Sequence, residues 1–587
     1  MTPFIRLVAA LVAVSAPASL LAQDWVEESN RNAEVLLEVM ARFNPEFAGQ
    51  MGVEGVDEDV IDLKPGVDER SQAAIAAAEE ELKARLEKAT HPKVRQDLHI
   101  LIESAEDQIK GEQINRKYTL LYFNGPQIAF FGMQALLDPQ LPAEKHAAAL
   151  VRLKRYAGLE EGYEPMLTLA RARIEEKMSD DALLGPYRAE VEKDLANAPR
   201  FVAGIGQLFQ AVGIEGYEEA LAAFEAQVAD WNAWVEEVVL ARARDDFQLP
   251  EELYAWNLRE FGVFSTPEQL IDEASAAFME IRNEMRSLAP LVAAQRGWQE
   301  TDYPAVIGRL RAEQLEGEAI LAVYQETLAN LEAVIEREAI VTLPERDAII
   351  RLGSEAESAA QPAPHLRPPR LLGNTGERPE FVLPLQNPGL QGEEAERMDD
   401  FTHRAAAWTL TVHEARPGHE LQFSSIIERG VSIARVLFAF NSVNVEGWAL
   451  YSEAVMKPYM PLDGQLISLQ HRLLRAARAF LDPMANTGRI GYPDIRRFLE
   501  EEVGLSPAMS RQEADRYTFR MPGQATSYFV GYRNLLSIRA EAELALGERF
   551  DEKAFHDFIL SQGLLPADLM REAVLEEFVA PALAADG

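Results

Sequence analysis

Apolar residues recur at helical spacing through most of the first 290 residues of this chain. Clear examples are residues 71–89, 143–177 and 216–241, which are rich in Ala, Glu, Leu and Arg and carry their charges on the opposite face. The pattern predicts amphipathic helices whose charged residues face solvent. The helical spacing predicts a mainly α fold. A chain of 587 residues is too long for one ordinary hydrophobic core, so we predict two lobes around a cleft.

The composition changes between residues 351 and 394, where prolines and glycines are frequent. We therefore predict a helical N-terminal lobe over residues 23–350, a joint over 351–394 and a helical catalytic lobe over 395–587. Residues 379–384 of the joint have a β-prone core between two prolines. This small β element is expected to be an edge strand beside the cleft.

The first 22 residues resemble a secretory signal peptide. Arg6 is followed by an apolar run and then by small residues up to Ala22, after which we expect cleavage, with Ala18 as an alternative. A buried N-terminal helix is the competing interpretation, but residues before Trp25 show no amphipathic face. No later stretch reaches the roughly 18 to 20 consecutive apolar residues that span a bilayer. The expected location is periplasmic or secreted.

Charge and cysteine content narrow the chemistry. A formal net charge of −38 disfavours nucleic acid and anionic membranes as partners. The chain has no cysteine, which excludes disulfides, thiolate metal sites and a cysteine nucleophile. Any metal must therefore be held by histidine and carboxylate.

Residues 413–419 contain two of the nine histidines and look like the zinc motif His-Glu-x-x-His with two residues inserted. In that motif the Glu, here Glu414, polarises the metal-bound water as general base. His413 and His419 are six residues apart, which places their side chains about 120° apart on an ideal helix. Pro417 and Gly418 can interrupt the helix and so allow both histidines to bind one metal.

A third ligand is expected 27 residues after His419, at Glu446. Glu453 lies seven residues further on, on the same helix face, and is expected to orient a ligand or the water. A basic helix face, His471 with Arg472, Arg475 and Arg478, is expected to pair with Glu453 or with other acids.

The two segments resemble the DUF885 family of bacterial zincin-like metallopeptidases. The matching elements are His-Glu-x-x-Pro-Gly-His at 413–419 and Glu-Gly-Trp-Ala-Leu-Tyr-x-Glu at 446–453, and residues 516–539 add a third. The resemblance implies a zincin-like fold and a zinc-dependent peptidase with one zinc per chain. The sequence departs from the family pattern at Glu420, where the family often has another His, and over residues 481–486. These departures leave the predicted ligands intact and concern the expected substrate pocket.

The same third element suggests further catalytic groups. Tyr528 is the candidate hydrogen-bond donor to the substrate carbonyl oxygen, which gains negative charge as water attacks. The equal alternative is that Tyr528 is simply a buried tyrosine on a helix. One of four arginines in this region is expected to bind a substrate carboxylate, which would make the enzyme an exopeptidase acting at C-termini. They are Arg516, Arg520, Arg533 and Arg539.

Three other functions compete with a peptidase. A two-carboxylate glycoside hydrolase leaves the paired histidines unexplained. If the chain were a catalytically inactive periplasmic binding protein, we would expect a ligand or the base to be lost. The three predicted ligands and the predicted base are all present. A metal-dependent hydrolase of a non-peptide amide or ester uses the same machinery, so only a substrate screen separates it from a peptidase.

Overall fold

The computed structural model describes residues 18–384, 386–387, 396–397 and 399–584. These residues contain 25 α-helices and five short strands, so the prediction of a mainly α fold is confirmed. Most of the predicted signal peptide, residues 1–17, lies outside the described residues, and the first helix begins at Ala18. No described helix is long and apolar enough to cross a membrane.

The first part of the chain is a succession of helices. They are α1 Ala18–Phe43, α2 Pro45–Met51, α3 Val67–Leu86, α4 Pro92–Tyr118, α5 Gly125–Leu136, α6 Ala143–Ala157, α7 Met166–Glu175, α8 Arg188–Val212, α9 Glu218–Trp234, α10 Leu240–Arg242, α11 Glu251–Glu260, α12 Pro267–Arg296, α13 Tyr303–Arg311 and α14 Glu318–Arg337. Local signals set several boundaries. Asn124 caps α5, and Thr266 with Gln269 forms a capping box at the start of α12.

Two hydrophobic cores belong mainly to these helices. One lies between α1, α3 and α4 and includes Leu36, Ile75 and Leu98. The other lies among α5 to α9 and includes Phe201 and Phe224. The apolar faces predicted from helical spacing are the faces that these cores bury.

A three-stranded sheet follows α14 and borders the candidate site. Its strands are β1 Ile349–Leu352, β2 His365–Arg367 and β3 Glu380–Leu383, in the order β1-β3-β2. The sheet pairs β3 parallel to β1 and antiparallel to β2. Strands β4 Gln386–Asn387 and β5 Glu396–Arg397 form a separate antiparallel pair.

The prediction that residues 379–384 form an edge strand is wrong. Strand β3 is central, and all four of its residues are buried. Pro379 and Pro384 flank the strand without entering it, so its N–H groups can pair on both sides. The edge strand next to the metal motif is β2.

The remaining helices carry the predicted site. They are α15 Glu355–Ala360, α16 Arg404–Leu410, α17 His419–Arg429, α18 Ser442–Met456, α19 Leu462–Asn486, α20 Tyr492–Phe498, α21 Pro507–Asp515, α22 Ser527–Leu546, α23 Glu552–Ser561, α24 Ala567–Ala573 and α25 Ala580–Ala584. Short π-helical turns are inserted at Val235–Val239, Thr411–Ala415, Ala434–Phe438, Leu499–Val503, Arg516–Arg520 and Val574–Val579. Single 3₁₀ turns occur at Lys457–Tyr459, Gln524–Thr526 and Gly547–Arg549.

The largest hydrophobic core crosses the boundary predicted at residue 350. Helix α12 packs against α19, and residues of α12, α13 and α14 share one core with α16 and α19. Phe278 of α12, for example, contacts Phe480 of α19 edge to face, with ring centroids 5.6 Å apart. The helices before the joint thus support the segment that carries the metal motif.

Candidate metal centre

The chain between the two motif histidines is not a continuous helix. Helix α16 continues into the π-helical turn Thr411–Ala415, which carries His413. Arg416 is extended, with φ −123° and ψ 130°, and α17 begins at His419. This is the interruption that a spacing of six requires, because it lets both imidazoles face one point.

Gly418 is required because a side chain has no space here. Its φ of −76° lies outside the left-handed region, so a left-handed conformation is not the reason for glycine. A Cβ at this position would lie 2.0 Å from the carbonyl oxygen of His413 and 2.3 Å from that of Val412. The loop is also tied to the next motif helix, because Trp448 Nε1 donates a hydrogen bond to the Pro417 carbonyl at 2.9 Å. Two segments that are adjacent only in the fold thus hold each other in place.

Three side chains converge at the centre of the site. Glu446 Oε2 lies 3.4 Å from His413 Nε2 and 3.3 Å from His419 Nε2, and the three atoms all lie within 4.8 Å of one another. Both histidines are buried, and Glu446 Oε2 has no hydrogen-bond partner among the described residues. Tetrahedral zinc with ligand bonds of about 2.1 Å has ligand atoms about 3.4 Å apart. The residues present therefore fit a zinc ion.

The orientation of His413 is held from behind. Its Nδ1 lies 2.7 Å from Glu453 Oε1, and Thr409 Oγ1 donates to Glu453 Oε2 at 2.5 Å. Because a carboxylate only accepts, Nδ1 of His413 carries a hydrogen, which leaves Nε2 as the ring nitrogen directed at Glu446 and available to a metal. Arg475 Nη2 lies 3.6 Å from Glu453, so the charge of this fully buried carboxylate is compensated. Such partners commonly orient metal-binding histidines.

The carboxylates favour positive charge at this point. Burial raises the pKa of Glu453, but Arg475 and His413 outweigh burial and lower it to about 2. Burial likewise raises the pKa of Glu446, which the two histidines hold well below its usual range. Burial lowers the pKa of His413, whereas Glu446 and Glu453 raise it to about 9. The site is electrostatically suited to a cation.

Glu414 directly follows the predicted ligand His413 and is 7% exposed. Glu414 interacts electrostatically with His365 of β2. Burial lowers the pKa of His365, and Glu414 opposes that lowering. His365 was not identified from the sequence, because nothing local relates this histidine to a motif some 50 residues later. Its Nδ1 lies 2.9 Å from the carbonyl oxygen of Ala363, which fixes the ring at the sheet edge.

Helices α18 and α22 cross at two glycines, and this contact positions Tyr528. A Cβ on Gly447 would lie 2.5 Å from the backbone of Gly531, and a Cβ on Gly531 would lie 1.9 Å from the Val443 carbonyl oxygen. No side chain fits at either position. Because the crossing is so close, Glu446 on α18 and Tyr528 on α22 are brought to the same site.

Tyr528 lies against the predicted ligand His413 and is surrounded by arginines. Its ring stacks on the His413 imidazole at a centroid distance of 6.1 Å and an interplanar angle of 16°. Arg516 Nη2 donates to the Tyr528 hydroxyl at 3.0 Å, and the Arg478 guanidinium lies 4.6 Å from the ring centroid. Burial raises the pKa of Tyr528, and Arg516 opposes this. A neutral hydroxyl therefore lies beside the three predicted ligands.

Of the four arginines proposed for substrate binding, only Arg516 contacts Tyr528 or a predicted ligand in the described structure. Arg520 is 4.0 Å from Glu190. Arg533 pairs with Glu273, and Arg539 is held by acids of its own region, Glu543 and Glu552.

Two residues of the predicted basic face of α19 lie beside acids, whereas Arg472 donates to the Tyr532 hydroxyl at 3.1 Å. Arg475 lies near Glu453, and Arg478 binds Glu513 through two hydrogen bonds of 2.7 and 2.5 Å. His471 is an electrostatic neighbour of Glu453 and His413, although its Nδ1 has no hydrogen-bond partner within the described ranges.

The fold has known counterparts. A "putative lipoprotein" from Colwellia psychrerythraea is similar at 17% identity with a TM-score of 0.75, covering 94% of this chain and 99% of that one. A "putative lipoprotein of unknown function" from Shewanella oneidensis is similar at 19% identity with a TM-score of 0.67, covering 94% of this chain and all of the other. At these identities the likeness shows the fold alone.

Comparison at the level of sequence is more specific. No protein of curated function matches. The model of the family described as "Bacterial protein of unknown function (DUF885)" matches residues 45–574, a range that includes every predicted ligand, the predicted base and Tyr528. The chain therefore belongs to the DUF885 family.

Proposed function

We propose that the protein is a zinc-dependent peptidase whose metal is held by His413, His419 and Glu446. The observation that carries the proposal is the convergence of these three side chains. Glu446 Oε2, which has no hydrogen-bond partner among the described residues, lies 3.4 Å from His413 Nε2 and 3.3 Å from His419 Nε2, spacings that match a tetrahedral zinc site. A zinc ion in such a site supplies Lewis acidity and lowers the pKa of a bound water towards about 7.

The surrounding side chains supply the other parts of a hydrolysis. Glu414 accepts a proton from the attacking water and delivers it to the leaving amine. The water oxygen bonds to the carbonyl carbon, the C–N bond breaks, and the products are a carboxylic acid and an amine. Tyr528 donates a hydrogen bond to the carbonyl oxygen as that oxygen gains negative charge. Glu453 and Thr409 keep His413 oriented throughout.

The sheet supports a peptide as substrate. Strand β2 pairs with β3 on one side and has no strand partner on its other side in the part of the chain that the structure describes. It lies next to the turn that carries His413 and Glu414. An extended peptide can hydrogen-bond to such an edge, which would align its backbone with the site.

The test is the Glu414→Gln variant, with Glu326→Gln as a matched control. Glu326 is exposed, and its ion pair within the described residues is with Arg404 at the surface. Wild type and both variants should each contain about one zinc per chain by elemental analysis. Cleavage of a mixed peptide library should fall by about 10³-fold in Glu414→Gln, since general base catalysis contributes about 10² to 10⁴-fold.

Other outcomes reject the proposal. Full cleavage by Glu414→Gln would remove Glu414 as the base, and absence of bound metal would remove the mechanism. Hydrolysis of small amides or esters without peptide cleavage would replace the peptidase by the non-peptide hydrolase. Zinc binding without any hydrolysis would favour a binding protein.

We also propose export to the periplasm or beyond the cell, supported by the signal-like residues 1–22 and by the lipoprotein names of the two similar structures. Cell fractionation and N-terminal sequencing of the native protein test this. A cytoplasmic protein with an intact N-terminus would contradict it.

A further inference from the structure

Arg516 is a cation beside the site whose hydrogen bonds go to neutral acceptors. It begins the π-helical turn Arg516–Arg520. Its Nε donates to the side-chain oxygen of Gln524 at 2.9 Å, and its Nη2 donates to the Tyr528 hydroxyl at 3.0 Å. Neither partner neutralises the guanidinium charge.

The nearest carboxylate is already committed to another arginine. Glu513 Oε1 is 3.9 Å from Arg516 Nη1, beyond hydrogen-bond distance. Glu513 is bound by Arg478 through two nitrogens, and the hydroxyl of Tyr517 donates to it at 2.6 Å. Within the described ranges, Nη1 of Arg516 therefore has no acceptor, and 22% of this side chain is exposed.

This arrangement differs from that of the other candidate arginines. Arg533 and Arg539 each contact a carboxylate directly. Arg520 makes no ion pair shorter than 4.0 Å, but it lies near Glu190 and its Nη2 contacts the carbonyl oxygen of Ala360 at 3.4 Å. Arg516 alone of the four combines an available nitrogen with contact to the proposed catalytic tyrosine.

We propose that Arg516 binds the free α-carboxylate at the C-terminus of the substrate, so that the enzyme removes C-terminal residues. The inference rests on the peptidase function proposed above. Arginine is well suited to carboxylate recognition because charge and hydrogen bonds act together. A protein of net charge −38 otherwise repels such a group, so a cation at the site is needed to admit it.

Arg516 and Tyr528 are proposed to bind different groups of the substrate, and the hydrogen bond between them gives the reason. The Tyr528 oxygen accepts a hydrogen from Arg516, which leaves its own hydrogen for the reacting carbonyl oxygen. Nη1 of Arg516 binds neither Tyr528 nor Gln524, so it is the nitrogen proposed to bind the substrate carboxylate. In a C-terminal residue, the carboxylate carbon is only two bonds from the scissile nitrogen, so both groups of one substrate can be bound side by side.

The kinetic test compares peptides that differ only in a free or an amidated C-terminus. Wild type should show a kcat/KM about 50-fold higher for the free acid, as expected for a hydrogen bond to a charged group. Arg516→Gln should reduce that ratio to below about 5, and Arg516→Lys should restore part of it because the charge remains. Arg533→Gln, on the surface of α22, should keep the wild-type ratio.

A binding measurement separates this proposal from the peptidase proposal. Calorimetric titration of zinc-loaded Glu414→Gln with both peptides needs no turnover and should show the same preference, lost in the Arg516→Gln double variant. Preference for the free acid in binding without cleavage by wild type would reject the peptidase function and keep the role of Arg516. An equal loss for both peptides in Arg516→Gln would overturn the role of Arg516, as would loss of the preference in Arg520→Gln.

Discussion

Two carboxylates of this protein, one fully buried and one partly buried, differ in how their oxygens are satisfied. Asp97 on α4 is fully buried and accepts hydrogen bonds from Ser29 at 2.7 Å, Ser432 at 2.6 Å and Arg435 at 2.8 Å. Glu446 on α18 has an oxygen with no hydrogen-bond partner in the described structure, 3.3 to 3.4 Å from two imidazole nitrogens. Both sites connect segments that are far apart in sequence.

The difference distinguishes a structural polar cluster from a candidate binding centre. Around Asp97 on α4, donors from α1 and from the segment near Ala434 complete the hydrogen bonding, so the cluster stabilises the contact between these elements. Around Glu446, the two histidines compensate the charge of the carboxylate, but its Oε2 has no hydrogen-bond partner among the described residues. We expect a cation bound between the three side chains to stabilise this arrangement.

The largest expected effect is loss of zinc-linked stability in Glu446→Gln. Zinc at 1,000 times its Kd should raise the free energy of unfolding of the wild type by about 4 kcal/mol. The variant should lose most of that gain because a neutral amide is a poor zinc ligand. Thermal unfolding with and without zinc measures this, and an unchanged zinc-dependent shift would show that Glu446 is not a ligand.

Asp97→Ala should lower the free energy of unfolding by about 3 kcal/mol, because it leaves the buried Arg435 without its carboxylate. The loss should be the same with and without zinc, in contrast to Glu446→Gln. Asp245→Ala, which removes an exposed partner of Arg188, is the matched control and should unfold like the wild type. A loss that depends on zinc would connect the two regions and contradict the comparison.

Glu453→Gln should weaken zinc binding by about 10 to 100-fold while leaving the three ligands in place. The amide can present its NH₂ group to His413 Nδ1 and so permit the wrong tautomer. Competition with a zinc chelator measures the affinity. Unchanged affinity would reduce Glu453 to a purely structural partner of Arg475.

The smallest effect is expected for Thr409→Val, which keeps the side-chain shape and removes one hydrogen bond to Glu453. A loss of about 1 kcal/mol in the free energy of unfolding is expected for a buried hydrogen bond. The accompanying decrease in zinc affinity should be smaller than that of Glu453→Gln. A larger decrease would mean that Thr409 controls the orientation of Glu453 by itself.

Some elements of the structure were predictable because their determinants are local. Helical spacing predicted the mainly α fold, and the pair Pro417-Gly418 predicted the break between His413 and His419. The position of the edge strand was predicted wrongly, because three-residue β2 has no pattern of its own and only its pairing with β3 defines it. The extent of the cores was also not apparent, since α12 and α13 pack with α19, which lies more than a hundred residues later.

The sequence by itself determined the chemistry that is available: two histidines around an unusual break, acids at Glu446 and Glu453, and no thiolate to compete with them. Tertiary structure decided which groups act together. The close contact of Gly447 with Gly531 places Tyr528 beside Glu446. Tyr528 in turn contacts Arg516 and, in the described structure, none of the other three candidate arginines. The physical reason is that ligand types follow from local residue identity, whereas distances between helices follow from packing across the whole chain.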